Sequence, residues 1–300
     1  MGILVAGTGA LACLFAARLA ARGIKVTMLG NWPEGLAALR DNALCVLEMD
    51  GSTHRYAVEV MDGSSCEGEY PHALVLVKSW QTERTARQLA QCLSLNGIAL
   101  TLQNGLGNAE ILKNTLGFER VAIGVTTVGA RMLEPGYVQH TGDGKVILAA
   151  TPDLNGLDEQ LDEAGFQVEM AADLQSLQWG KLVINAAINP LTALLRVENG
   201  ELLSRPDARE LMEDTAREAA SVAESLGIGL PYPDPRAAVA EVVHNTASNI
   251  SSMLQDVMRG TPTEIDAING AVARAGEITG VPTPLNHLLW RLVKALDQKK

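Results

Sequence analysis

Gly2-Ile3-Leu4-Val5-Ala6-Gly7-Thr8-Gly9-Ala10-Leu11-Ala12 begins as an apolar run of strand length and ends in a glycine turn. An Ala-rich helical pattern follows to Arg22, then Gly23 and the β-branched run from Lys25 to Leu29. Strand, glycine turn, helix and strand in that order are a βαβ unit. The turn has the form GxGxxA: Gly7 permits the tight bend, Gly9 lets a pyrophosphate approach, and Ala12 allows close helix packing. The amides of the turn and helix start, through Thr8, Ala10 and Leu11, then hold phosphates. A merely structural glycine turn is the alternative, and the complete βαβ context favours the dinucleotide site.

Dinucleotide sites that select NAD place an acid at the end of the second strand, for the ribose hydroxyls. Here that strand ends Leu29-Gly30-Asn31-Trp32, with no acid before Glu34 and no arginine. The missing acid favours NADP, because a carboxylate repels its 2′-phosphate.

Farther along, residues 43–60 alternate around Asp50-Gly51 and predict a β-hairpin. Ala73–Val77 is a buried strand with Lys78 at its carboxyl end, where open α/β sheets bind ligands. A helix over 81–95, a strand over 97–102 and the exit turn Gln103-Asn104-Gly105 come next, and Asn104 at that strand end is a ligand candidate. A helix near 108–116, β-type segments at 121–128, 136–138 and 146–149, a helix over 157–163 and a strand over 166–170 complete this half. His140 has no partner at metal-ligand spacing and receives no role.

From about Asp173 the strand signals stop, and helical periods run through 174–195, 206–227, 235–257, 263–279 and 284–297. The expectation is an α/β chain: a Rossmann-type dinucleotide-binding domain over 1–172, then an all-helical substrate domain over 173–300.

The helix from Trp179 to Leu195 is apolar except for Lys181, Asn185 and Asn189, which stack at i, i+4 and i+8. A lysine there must find partners or lose charge, unless it snorkels to water. A second set, Asn245, Asn249, Ser252 and Asp256, falls on one face if 235–257 is a single helix. Glu264 starts the next pattern, capped by Thr261 or Thr263, so a charge that only complements the helix dipole is an alternative to a site role.

The net charge of -11 disfavours nucleic acid or an anionic membrane as partner. The apolar stretch from Leu11 to Ala21 carries Arg18 and is too short to span a bilayer. Cys13, Cys45, Cys66 and Cys92 form no close pair and no metal-ligand pattern. With no secretory signal they are expected to be reduced thiols in a cytoplasmic protein.

Taken together, Gly7-Thr8-Gly9, Lys78, Gln103-Asn104-Gly105, Lys181, Asn185 and Asn189-Pro190-Leu191-Thr192-Ala193 resemble the ketopantoate reductases. So do Asn199-Gly200-Glu201, Ser251-Ser252-Met253-Leu254-Gln255-Asp256 and Thr263-Glu264-Ile265-Asp266. The resemblance implies NADPH-dependent reduction of 2-dehydropantoate to pantoate, for coenzyme A synthesis. It implies Lys181 as general acid and Asn185, Asn189, Asn199 and Ser252 as substrate binders, a set that Asn249 joins. Asn104 and Lys78 line the cleft and are grouped here with Asn31 on the cofactor side, and Glu264 stands where substrate and cofactor meet. Ala12 departs from the third glycine of the pattern, and Asn31 stands where an arginine often meets the 2′-phosphate. A relative reducing a different small 2-oxo acid, and a non-catalytic dinucleotide sensor, are the alternatives. The pattern leaves the oligomeric state open.

Overall fold

The computed structural model describes residues 2–63 and 66–297, and its chain divides into two compact units. The first holds residues up to Gln103 together with Asn108–Leu174; the second holds Asn104–Gly107 and everything from Gln175.

The first unit contains β1 (Ile3–Ala6), α1 (Ala10–Ala21), β2 (Val26–Gly30), α2 (Pro33–Asn42), β3 (Leu44–Leu47), β4 (Thr53–Tyr56) and β5 (Glu59–Asp62). It continues with β6 (Tyr70–Val75), α3 (Thr82–Cys92), β7 (Leu93–Thr101), α4 (Asn108–Leu116) and β8 (Val121–Thr126). It ends with β9 (Gly129–Glu134), β10 (Tyr137–Gly142), β11 (Lys145–Ala149), α5 (Leu157–Glu163) and β12 (Gln167–Ala171). Eight strands form one sheet in the order β12-β11-β8-β7-β6-β1-β2-β5. From β8 to β5 every neighbouring pair is parallel, the Rossmann-type arrangement expected of the βαβ pattern. A second sheet, β4-β3-β10-β9, contains the expected hairpin and adds β9, which the alternation after Val128 did not separate from its neighbours.

α1 packs against both sheets, which explains why it is apolar all round. Its charged residue, Arg18, lies over the Phe166 ring at 5.3 Å, donates to the Gly165 carbonyl at 3.2 Å and approaches the buried His140 at 3.1 Å. His140 also meets Glu48 at 3.0 Å, so it clamps the second sheet to α1.

The cysteine expectation needs correction. Cys66 and Cys92 form a disulfide, with Cα atoms 5.6 Å apart, while Cys13 and Cys45 remain free thiols. The pairing spans 26 positions, and the passage through β6 and α3 returns the chain to its starting point.

The second unit is helical: α6 (Leu174–Leu195), α7 (Glu201–Ser204), α8 (Pro206–Ser225), α9 (Pro235–Asn245), α10 (Ser252–Arg259), α11 (Asn269–Thr279) and α12 (Pro284–Asp297). Two expected helices are shorter than their periodicity. The 235–257 pattern breaks after Asn245, because the Ala247 and Asn249 carbonyls accept from the Gly200 and Asn199 amides, at 2.9 and 3.0 Å, instead of continuing a helix. Gly200 is required there, since a Cβ would meet the Ala247 Cβ at 2.7 Å. α10 then restarts with Ser251 as N-cap, its hydroxyl accepting from the Leu254 amide at 3.1 Å. The 263–279 pattern becomes helix only at Asn269. Before it, a turn buries both Glu264 and Ile265 while Asp266 accepts from Trp290 Nε1 and Lys294 Nζ, at 2.7 and 2.9 Å.

α6 carries Pro190 in its interior, and proline has no N–H to give the carbonyl four residues back. That carbonyl, on Ala186, instead accepts from Asn269 Nδ2 at 2.9 Å. Asn269 also donates to Asn286 at 3.0 Å, and Asn286 donates to Glu218 and to the Thr215 carbonyl. Both asparagines are fully buried. Asn269→Leu is therefore expected to cost about 1–3 kcal/mol, the penalty of an unsatisfied buried carbonyl. Denaturant unfolding checks this, and an unchanged midpoint would show that the carbonyl finds another donor.

Candidate active site

In the first unit, Gly7 has φ +129°, and a Cβ on it would stand 3.0 Å from the Leu76 carbonyl oxygen, so glycine is needed twice over. Gly9 is the N-cap of α1, with no side-chain cap and no acid in the first turn. A Cβ built on Gly9 meets nothing within 4 Å, so the space over these amides is open. Thr8 is buried against Gly30 and Ala12 is fully buried, whereas Ala10 and Leu11 at the helix start are half-buried. An uncapped helix N-terminus behind an unobstructed glycine fits the diphosphate of a dinucleotide.

At the end of β2, Asn31 Oδ1 accepts from Arg84 Nη2 of α3 at 2.5 Å. Arg84 lies 53 positions away, and the sequence reading missed it. Lys78 is half-buried just beyond β6. The Val77 carbonyl before it accepts from Gln103 Nε2 at 2.9 Å, and the same amide donates to Thr82 Oγ1 at 2.8 Å. Thr82 passes the bond on to Asn108 at 2.9 Å. Gln103, read from sequence only as part of a turn, is thus the clamp between the exits of β6 and β7.

In the second unit, α6 carries Lys181, Asn185 and Asn189 as the spacing predicts. Lys181 and Asn185 are half-buried and Asn189 is buried. The turn before Lys181 is covered closely: a Cβ on Gly180 would meet Pro231 at 2.6 Å, and Tyr232 donates to the Gly180 carbonyl at 2.9 Å. Desolvation pushes the Lys181 pKa down to about 8, and the Glu264 carboxylate pulls it partly back up. Glu264 is buried and accepts from Asn104 Nδ2 at a long 3.5 Å. Asn104 belongs to this unit because Leu106 donates to the Ala267 carbonyl at 2.9 Å. Since Glu264 lies ahead of α11, it is no first-turn dipole partner and the capping alternative falls.

The second polar set is not one helix face. Asn245 ends α9, Asn249 is an exposed residue of the connecting loop, and Ser252 and Asp256 belong to α10. Asn199 is buried and donates to Thr246 Oγ1 at 3.0 Å. Its Oδ1 has no hydrogen-bond partner among the described residues. Thr192 Oγ1 donates to Ser251 Oγ at 2.7 Å, holding the start of α10, and so Ser252, against α6.

Two family profiles match the chain: one described as ketopantoate reductase PanE/ApbA over residues 3–153, the other as its C-terminal part over 173–297. A 2-dehydropantoate 2-reductase of Halobacterium salinarum is 33% identical over 300 residues, covering 98% of either chain. A ketopantoate reductase structure from Ralstonia eutropha JMP134 superposes with TM-score 0.92 at 29% identity, covering 100% of this chain and 99% of that one. A ternary structure of D-mandelate dehydrogenase with NADH and anilino(oxo)acetate superposes with TM-score 0.93 at 26% identity, covering 99% and 98%.

The Lys181 shift has a testable sign. Its pKa is lower in the native chain than in the unfolded one, so the unfolded state holds the extra proton between about pH 8 and the ordinary lysine value of 10.5. The stability of the wild type relative to Lys181→Met should rise with pH across that window and be flat below it. Unfolding at several pH values checks this; a flat difference would mean that the ammonium is fully hydrated.

Proposed function

The chain belongs to the ketopantoate reductase family, and from that premise we propose that it reduces the ketone of 2-dehydropantoate to pantoate with NADPH, for coenzyme A synthesis. The observation that carries the reading is the placement of Lys181 on α6, desolvated next to the turn covered by Pro231 and Tyr232 and within electrostatic reach of the buried Glu264 carboxylate. A bound nicotinamide supplies the hydride. Lys181 Nζ donates a proton to the ketone oxygen as negative charge grows on it. A pKa near 8 keeps the donor protonated at pH 7, yet lets the proton leave more easily than from a hydrated lysine. Glu264 accepts from a substrate hydroxyl and, with Asn104, aligns the reacting group. Asn185 and Asn189, on successive turns after Lys181, hold the hydroxyl and carboxylate groups without adding charge. Asn199, with its unpartnered acceptor, and Ser252 and Asn249 complete the substrate set.

On the cofactor side Gly7, Thr8, Gly9, Ala10, Leu11 and Ala12 form the diphosphate turn, with Asn31 and Lys78 beside it. The partner is a small 2-oxo acid rather than nucleic acid or membrane, in line with the net charge of -11. Among the described residues no helix is long and apolar enough to cross a membrane. The cysteines lend a cytoplasmic location no support, since Cys66 and Cys92 are paired; it is proposed only as the compartment of coenzyme A synthesis.

D-mandelate dehydrogenase favours a second reading, because it pairs the same architecture with NADH and a different 2-oxo acid type of ligand. NADPH oxidation against a panel of 2-oxo acids separates the two: fastest turnover with 2-dehydropantoate supports the first, and preference for an aryl 2-oxo acid supports the second. A sensor without turnover has no use for a desolvated lysine.

Lys181→Ala should lower kcat roughly a hundredfold or more, the scale of a lost general acid, with cofactor affinity unchanged. The wild-type kcat/KM should fall above pH 8 as Lys181 loses its proton. Near wild-type turnover in the variant would require another acid. NADPH should exceed NADH in kcat/KM, and Asn31→Asp should shift the ratio toward NADH; a wild-type preference for NADH would reverse the cofactor assignment.

A further inference from the structure

We infer that Arg84, on α3, is the residue that receives the adenosine 2′-phosphate and so sets cofactor choice; the inference rests on the dinucleotide reading of the first unit. The end of β2 offers no cation of its own, since Leu29-Gly30-Asn31-Trp32 carries neither arginine nor lysine. Arg84 reaches that strand end from another element, donating through Nη2 to Asn31 Oδ1 at 2.5 Å. Its side chain is exposed, and no carboxylate pairs with it among the described residues. Within α3, Arg87 has a carboxylate neighbour, Glu83 at 3.6 Å in an exposed pair, whereas Arg84 has none among the described residues.

The arrangement is held in place by its surroundings. Gln88, one turn beyond Arg84, donates through Nε2 to the Gly63 carbonyl at 2.5 Å, and Gly63 in turn donates to the Gly30 carbonyl at 2.8 Å. A side chain on Gly63 would collide with both Asn31 Oδ1 and Gln88 Nε2, so only glycine permits the contact. Thr85, Ala86 and Leu89 are buried and fix the rotation of α3. A guanidinium has five donors in a planar fork, of which Asn31 takes one, leaving others for phosphate oxygens. Asn31 contributes its own amide donors and, being neutral, does not repel the phosphate as an acid would. Arginine near this strand end is the general chemistry of 2′-phosphate selection, here supplied from a helix instead of the strand.

The test is calorimetric titration of NADP⁺ and NAD⁺ into the wild type, Arg84→Ala and Arg84→Lys, at low and high salt. Arg84→Ala should weaken NADP⁺ binding roughly tenfold or more, the scale of a charge-assisted hydrogen bond, and change NAD⁺ binding by less than about twofold. Arg84→Lys should recover part of the loss, and the salt sensitivity of NADP⁺ binding should drop in the alanine variant. The melting temperature without nucleotide should not move. Equal weakening of both nucleotides, or of neither, would overturn the assignment. No 2-oxo acid enters the titration, so failure of the substrate reading leaves it unaffected. A wild type without preference for NADP⁺ removes the cofactor assignment and Arg84 together, whereas a preference that survives Arg84→Ala removes Arg84 alone.

Discussion

A helix buried on most sides has no water to complete its hydrogen bonds, so each polar group it carries needs a protein partner. α6 meets that constraint at its weakest point, the Ala186 carbonyl that Pro190 leaves without a donor. Asn269 supplies the missing bond, and through Asn286 the same network takes in Glu218 and the Thr215 carbonyl of α8. One vacancy in one helix thereby ties together α6, α8, α11 and α12. The rotation and height of α6, and with them the positions of Lys181, Asn185 and Asn189, depend on this tie. Thr192 adds a second fastening by donating to Ser251 at the head of α10.

The shortage of water that constrains Ala186 also lowers the pKa of Lys181. Desolvation makes the ammonium a better acid, and the Glu264 carboxylate limits how far the shift goes. Gly180 lets the Pro231–Tyr232 segment lie directly on the helix, covering the turn from which Lys181 projects. A wholly hydrated lysine at this point would be a weaker proton donor, and a lysine without an acid neighbour would be costlier to bury.

The first unit answers a different demand. Its candidate ligand is an anion of large charge, and backbone amides with open space over them serve that purpose better than side chains do. Gly9 leaves that space, Gly7 makes the bend, and the buried body of α1 between two sheets keeps the helix start from shifting. On the proposal made for Arg84, selection between cofactors falls to the side chains around Asn31 rather than to the glycine turn.

Much of this was legible in the sequence, because it rests on local periodicity. The strand–turn–helix–strand opening, the change to helical period near Asp173, and the Lys181, Asn185 and Asn189 stripe each lie within one or two elements and survive folding unchanged. Periodicity failed where the backbone is engaged elsewhere. The helix expected over 235–257 breaks because its carbonyls bond Asn199 and Gly200, and the turn at Glu264 replaces a helical start. By itself the sequence determined the two-part architecture and the residue types that could act as acid, acceptor and phosphate cradle. Only the tertiary structure decided that Asn269 completes a carbonyl 83 positions away, that Arg84 meets Asn31 across 53, and that Cys66 finds Cys92 across 26. Such partners follow from how whole elements cross and register, and a local pattern of apolar and polar residues carries no information about a crossing.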